Sequence, residues 1–365
     1  MSEIPTEIIE QIIDKLSDDR KALVASLSVS HVFHGRARYH LFRIVTLSME
    51  SDFHQFISLC DISPVISSLV QSLEIRCYKT MPQLPSLPNV TSLHIRGPSN
   101  DVWQSNFPST TSLMLEDVSF PTALSFRTWI CAYPHLTSLS LSYVRIHHPS
   151  MFDAYALAQG PPLEFLSFAD VNYNVYEAFL GSANGNISTF ALHGLRKIRH
   201  EVKDPDDAVG LHKLLAISRA TLRELHVTMN PFYPIQIFGN VHPDISQVPT
   251  VEFRMPRISE FSFSGIILWL SSCTPTSSNR SALMERLIIH LSPILMPSDF
   301  LESPTFSSGR APLDIRLTDP LYCNPKVVQF NVGPGKMRQA VRDAILIALP
   351  KLHAVGRLAV VDVTI

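Results

Sequence analysis

A short apolar pattern recurs along this chain and constrains its fold more than any other feature: an apolar residue, two of any kind, a second apolar residue, one of any kind, and a third apolar residue. It reads Leu87-x-x-Val90-x-x-Leu93-x-Ile95, Leu136-x-x-Leu139-x-Leu141, Leu163-x-x-Leu166-x-Phe168 and Ile187-x-x-Phe190-x-Leu192. Further copies are Leu222-x-x-Leu225-x-Val227, Ile258-x-x-Phe261-x-Phe263 and Met284-x-x-Leu287-x-Ile289, with looser members at Leu69-x-x-x-Leu73-x-Ile75 and Leu113-x-Leu115. The middle positions 73, 93, 113, 139, 166, 190, 225, 261 and 287 are separated by 20, 20, 26, 27, 24, 35, 36 and 26 residues. Alternation with period two predicts a short strand, but one such unit cannot bury its own apolar side. Stacked neighbours can, each strand pairing in parallel with the next. An ordinary open parallel α/β sheet also yields buried apolar runs; the number of recurrences favours the stacked arrangement.

Helices are predicted between the strands, over 124–133, 152–159, 175–182 and 208–219. A longer one over 336–349 precedes a closing strand or cap in the final fifteen or so residues. The first 42 residues have a different texture. Ile4, Ile8, Ile12 and Leu16 recur every four residues, with Ile9 and Ile13 widening the stripe, which predicts an amphipathic helix. Pro5 suits its first turn, and Glu7 and Glu10 suit the positive end of its dipole. Asp18 or Asp19 offers an N-cap to a second helix carrying Leu23, Val24 and Leu27, and a third helix is predicted over 30–41. The domains expected are thus a helical module, 1–42, and a long repeat region, 43–365. Three short helices bury little surface on their own, so either the rest of the chain or a partner protein covers them.

With 45% apolar and 17% charged residues among 365, the chain is no disordered, solvating protein. Lys+Arg 30 against Asp+Glu 32 gives a net charge of −2, without the cationic excess of a nucleic-acid binder. The five cysteines, at 60, 77, 131, 273 and 323, form no Cys-x-x-Cys pair and read as reduced thiols. No run of about 18 apolar residues predicts a membrane span, and the acidic N-terminus is unlike a secretory signal. A cytoplasmic or nuclear protein is expected, which makes the Asn-x-Ser/Thr sequences at Asn89, Asn186 and Asn279 chance matches.

Catalytic motifs are missing. Gly333-Pro334-Gly335-Lys336 imitates a phosphate loop, but Phe330 replaces the earlier glycine and Met337 the Ser or Thr that holds magnesium. The sequence contains no Gly-x-Ser-x-Gly or His-Glu-x-x-His, and the 15 histidines lack carboxylates at ligand spacing. Neither an enzyme, a metal nor a cofactor is expected. The strands instead offer a face: residues flanking the last apolar position of each unit point one way. The candidates for binding a protein target are Glu74, Arg76, His94, Arg96, Glu116, His193, His226 and His290, with Ser140, Ser142, Ser167 and Ala169 between them.

The segment from Ile4 to Phe42 resembles the F-box, the helical module by which substrate receptors attach to the Skp-type adaptor of SCF ubiquitin ligases. The matching positions are Ile4, Pro5, Glu7, Ile8, Ile12, Leu16, Leu23, Leu27 and the Ser28-Val29 step; Phe33 stands where the family often has Trp, and His31 where it often has Cys. The remainder is similar to the irregular leucine-rich-repeat-like solenoids of the expanded F-box proteins of fungi, without the standard repeat's Asn. The resemblance implies an α/β fold with a three-helix F-box followed by a parallel-stranded solenoid. It implies adaptor contacts through Ile4, Pro5, Glu7, Ile8, Ile12, Leu16, Leu23, Leu27, Val29 and Phe33. The implied partners are a Skp-type adaptor, through it a cullin, and an unidentified protein target. The alternative is a repeat scaffold whose helical start is only a cap.

Overall fold

The computed structural model describes residues 5–76, 83–97, 107–148, 160–180, 190–229, 244–255, 283–291, 313–315, 317–318, 325–334 and 338–363. Ile4, the helix expected over 152–159 and the strand copy at Ile258 to Phe263 lie outside these residues. The chain is mixed α/β and forms two compact units, Met1–Pro162 and Leu163–Ile365.

The first unit opens with α1 (Thr6–Lys15), α2 (Arg20–Ser26) and α3 (His31–Arg43), followed by β1 (Ile44–Leu47), α4 (Glu50–Ile62) and α5 (Val65–Leu69). Then come β2 (Ser72–Arg76), β3 (Ser92–Arg96), β4 (Ser112–Glu116), β5 (Ser119–Thr122), α6 (Ala123–Cys131), β6 (Ser138–Ser142) and β7 (Arg145–His148). Strands β1, β2, β3, β4 and β6 pair in that order, all parallel, and β5 pairs with β7 as a separate two-stranded ribbon. The register stacks like on like. Leu73, Leu93, Leu113 and Leu139 form one buried rung, which the half-buried Val45 extends, and Leu47, Ile75, Ile95, Leu115 and Leu141 form the next.

Threonines just ahead of the strands join neighbouring coils. The Gln71 carbonyl accepts the N–H groups of Thr91 and Ser92, Thr91 those of Thr111 and Ser112, and Thr111 those of Thr137 and Ser138. The hydroxyls of Thr91, Thr111 and Thr137 each donate to the same carbonyl at 3.3 Å. The strands also share an exit. Gly97, Asp117 and Tyr143 directly follow β3, β4 and β6 with φ of 119°, 57° and 55°. That left-handed turn takes the chain off the sheet, and non-glycine residues adopt it at a cost of about 1–2 kcal/mol.

The second unit comprises β8 (Phe165–Ala169), α7 (Tyr173–Leu180), a 3₁₀ turn (Leu192–Gly194), β9 (Lys197–Val202), α8 (Pro205–Ser218) and β10 (Glu224–Met229). It continues with β11 (Thr250–Met255), β12 (Arg286–Leu291), β13 (Val327–Val332), α9 (Arg338–Ala348), α10 (Pro350–Ala354) and β14 (Leu358–Asp362). The seven strands pair in chain order, all parallel. One rung runs Leu166, Ile198, Leu225, Val251, Leu287, Val328, Leu358, so successive coils differ by 32, 27, 26, 36, 41 and 30 residues. The caps are local. Asp204 accepts the Asp207 N–H to start α8, and the buried Asp314 accepts the N–H groups of Lys351 and Leu352 at 3.0 and 3.1 Å to start α10.

The expected strand around Phe190 is a correction. Phe190 and Leu192 are buried, but they lead into the 3₁₀ turn; the strand follows at Leu195-x-x-Ile198-x-His200. His193 is therefore an exposed turn residue rather than a member of the sheet face, where Arg199 and Glu201 stand instead. β1, β11 and β13 were not expected from the sequence. No helix among the described residues is long and apolar enough to cross a membrane.

Candidate functional site

The N-terminal helices close a small core of their own. Ile13, Leu23, Ala37 and Leu41 are buried, and Ile9, Leu16, Leu27, Phe33 and Phe42 pack against them. Each buried aliphatic side chain is worth about 1.5–3 kcal/mol. Asp19 caps α2 by accepting the N–H groups of Lys21 and Ala22, and Ser30 caps α3. Asp14 on α1 is clasped by α3: Arg36 donates Nε and Nη2 to its two oxygens at 2.6 and 2.8 Å, and His40 Nε2 lies 2.7 Å from Oδ1. These bonds, Arg36's first and His40's second, hold the Asp14 carboxyl well below the usual range.

The isoleucine stripe of α1 is thus two adjoining faces. Ile9, Ile13 and Leu16 turn inward, while Ile8 and Ile12 remain 45% and 48% exposed. Val24 on α2 (52%) and Val29 beyond it (63%) are also exposed. Of the expected adaptor residues, Pro5, Glu7, Ile8, Ile12 and Val29 lie on the outside, Leu16, Leu27 and Phe33 are half-buried, and Leu23 is a core residue. Leu23 is corrected accordingly: one step of about 100° along α2 exchanges it for Val24, which the sequence named only as an apolar helix position.

The sheet faces carry the second candidate set. In the first unit His94 lies between two carboxylates, with Nδ1 at 3.7 Å from Glu74 and Nε2 at 3.3 Å from Glu116. Arg76 pairs with Glu74 at 2.7 Å and Arg96 with Glu116 at 3.6 Å. Burial works to raise Glu74, but the Arg76 bond and charge, with His94 and Thr46, outweigh it and hold the carboxyl below its ordinary value. In the second unit Glu252 is the hub, its side chain only 12% exposed. Arg254 Nε lies at 2.7 Å, His290 Nε2 at 3.1 Å and His226 Nδ1 at 3.0 Å, the last out of hydrogen-bond alignment. His226 Nε2 lies 3.4 Å from Glu224, which Lys197 holds at 2.8 Å; Asn331 Nδ2 is 3.3 Å from His290 Nδ1, and Gln329 donates to Asn331 at 2.7 Å. Burial pushes the His290 imidazole below its ordinary value, Glu252 opposing and Arg254 and His226 assisting.

Glu74, Arg76, His94, Arg96 and Glu116 therefore do come together, as do His226 and His290. Glu252, Arg254 and Asn331 complete the second network and were not expected. The signal for β11 was present as Val248-x-x-Val251-x-Phe253. The arginines at the rim of the networks, Arg76, Arg96 and Arg254, are about half exposed, and pairs made by such side chains are worth at most about 1 kcal/mol each. The networks arrange donors and acceptors across neighbouring parallel strands. Among the described residues no group of three or more His, Cys, Asp or Glu is arranged to hold a metal ion. No family model matches the chain, and no curated protein is significantly similar to it.

Proposed function

We propose that this protein is a non-enzymatic substrate receptor of an SCF-type ubiquitin ligase. Its N-terminal helices take a Skp-type adaptor, and through it a cullin, while the polar faces of a leucine-rich-repeat-like solenoid take a protein target in the cytoplasm or nucleus. The observation that carries this reading is the outer face of the helical module. Ile8, Ile12, Val24 and Val29 stay exposed although the module's own core is closed without them. A helix buries its apolar stripe against something, and here the nearest core is already full. The receptor needs only geometry: holding a target beside a bound ligase raises its effective concentration at the transfer site.

The scaffold reading rests on one observation. Arg38 donates to Ser63 at the end of α4 at 2.9 Å and Tyr39 to Gln71 just before β2 at 3.4 Å, so the module is also fastened to the chain that follows it. Capture of a Skp-type adaptor by the full chain separates the two readings. The Ile8→Asp/Ile12→Asp double variant, which leaves the inner face intact, is expected to lose the adaptor and keep its helical circular dichroism. Failure of the intact chain to retain any adaptor favours the scaffold.

A further inference from the structure

One buried cluster plays no part in either surface. In the second unit, the rung next to that of Leu166 runs Phe168, His200, Val227, Phe253, Ile289, Phe330 and Val360, apolar at every position but His200. His200 is fully buried, Tyr176 is 2% exposed and Asp207 4%. The Tyr176 ring from α7 stacks on the imidazole with centroids 5.6 Å apart. Its hydroxyl lies 2.7 Å from Asp207 Oδ1 and 3.1 Å from His200 Nε2. Asp207 Oδ2 accepts the Lys203 backbone N–H at 2.9 Å; His200 Nδ1 has no well-aligned hydrogen bond, and the Glu201 backbone is the polar group beside the ring that favours a proton there.

A phenol has one proton to donate. While Asp207 is ionised the hydroxyl donates to the carboxylate, so Nε2 must carry the imidazole proton and donate it to the phenol oxygen. The bare Nδ1 is then the lone pair left without a donor. Protonating Asp207 changes this. Both carboxyl oxygens already accept donors, the Lys203 N–H is fixed by the backbone, and a buried O–H without an acceptor is costly. Only the Tyr176 hydroxyl is free to rotate.

We infer that Tyr176 is a reversible hydrogen-bond relay, donating to ionised Asp207 or, when Asp207 is protonated, to His200, so that one proton taken up changes the imidazole's tautomer and not its charge. The proton balance is simple. Solvent supplies the proton that forms the Asp207 O–H bond; the Tyr176 O–H turns without breaking; the imidazole gives its Nε2 proton to water and takes one from water at Nδ1.

The surroundings place this change near neutrality. Burial pushes the Asp207 carboxyl up to about 6, Asp204 adding to the effect and Tyr176, the Lys203 N–H and the Lys203 charge opposing it. Burial also depresses His200 to about 3, the Glu201 backbone opposing, which keeps the ring neutral throughout. The other ionisable groups around the cluster are Asp206 in the first turn of α8, Tyr173 and Glu177 on α7, Glu201 on β9, the exposed His193 of the 3₁₀ turn, and Asp170, whose carboxylate holds Lys203 at 2.6 Å.

The test is two-bond ¹H–¹⁵N correlation on the full chain labelled at histidine, with His200 assigned through its backbone, from pH 7.5 to pH 5. The expected result is passage of His200 from the Nε2–H to the Nδ1–H tautomer with a midpoint near 6, neither nitrogen reaching the imidazolium position. Asp207→Asn should hold the Nδ1–H tautomer at pH 7.5 as well, because its amide must turn oxygen to the Lys203 N–H and therefore NH₂ to Tyr176. An unchanged tautomer across the titration, or conversion to imidazolium, overturns the relay on the wild-type chain alone.

Discussion

Gly210 shows how tightly the core of the second unit is drawn around one ring. A Cβ at this position of α8 would lie 2.5 Å from Cδ1 of Tyr176 and 2.7 Å from Cε1. The ring has nowhere to go, since its hydroxyl is held between His200 and Asp207 and its face stacks on the imidazole. Alanine would gain about 1 kcal/mol of helix propensity over glycine, against overpacking that costs typically 1–3 kcal/mol. Gly210→Ala is therefore expected to lower the urea midpoint of the full chain; an unchanged or higher midpoint would mean the helix and ring are free to separate. The same cluster explains why a strand was illegible. Leu195-x-x-Ile198-x-His200 has the spacing of its neighbours, but a sequence reader discards a histidine at a core position because the tyrosine that satisfies it lies 24 residues away.

Among the elements, α1 and α3 depend on a charge as well as on packing. Asp14 titrates below its ordinary value because Arg36 and His40 bond its ionised form. A carboxyl lowered in the folded state contributes stability that is present above the unfolded value of about 3.8 and lost as the pH falls through the lowered one. Asp14→Asn is thus expected to unfold at lower urea than wild type at pH 7, with the gap narrowing as the pH drops below that value. A gap that stays constant from pH 7 to pH 2.5 would show that the clasp acts through shape alone. Elements with strong periodicity were legible: α1, α2, α3, α6, α7 and α8 fall within a few residues of their expected spans. β1 was hidden because Phe42-x-x-Val45-x-Leu47 begins inside the last turn of α3. β11 and β13 were hidden by Pro249 and Pro325 just before them. Proline is tolerable at 249 because its carbonyl still accepts the N–H groups of Glu285 and Arg286, while only the Thr250 N–H reaches back to Arg223.

At the scale of the whole molecule, the parallel strands and the helical module obey different rules of construction. The apolar ladders depend on like residues recurring at uneven intervals, which a pattern reader can find. The polar networks depend on which strands are neighbours. Glu252 meets His226 and His290 only because β11 lies between β10 and β12, so no local spacing announced it. The outer face of the module was legible as a stripe, yet its inner and outer halves separated only once α2 and α3 were seen to cover Ile9 and Ile13. The central claim is that this outer face is a binding surface for a Skp-type adaptor. Amide hydrogen exchange of the full chain, with and without purified adaptor, tests it most directly. The account predicts slowed exchange in α1, α2 and residues 27–30, with β2, β3 and β4 unchanged; no protection anywhere in the first 43 residues at saturating adaptor would contradict it.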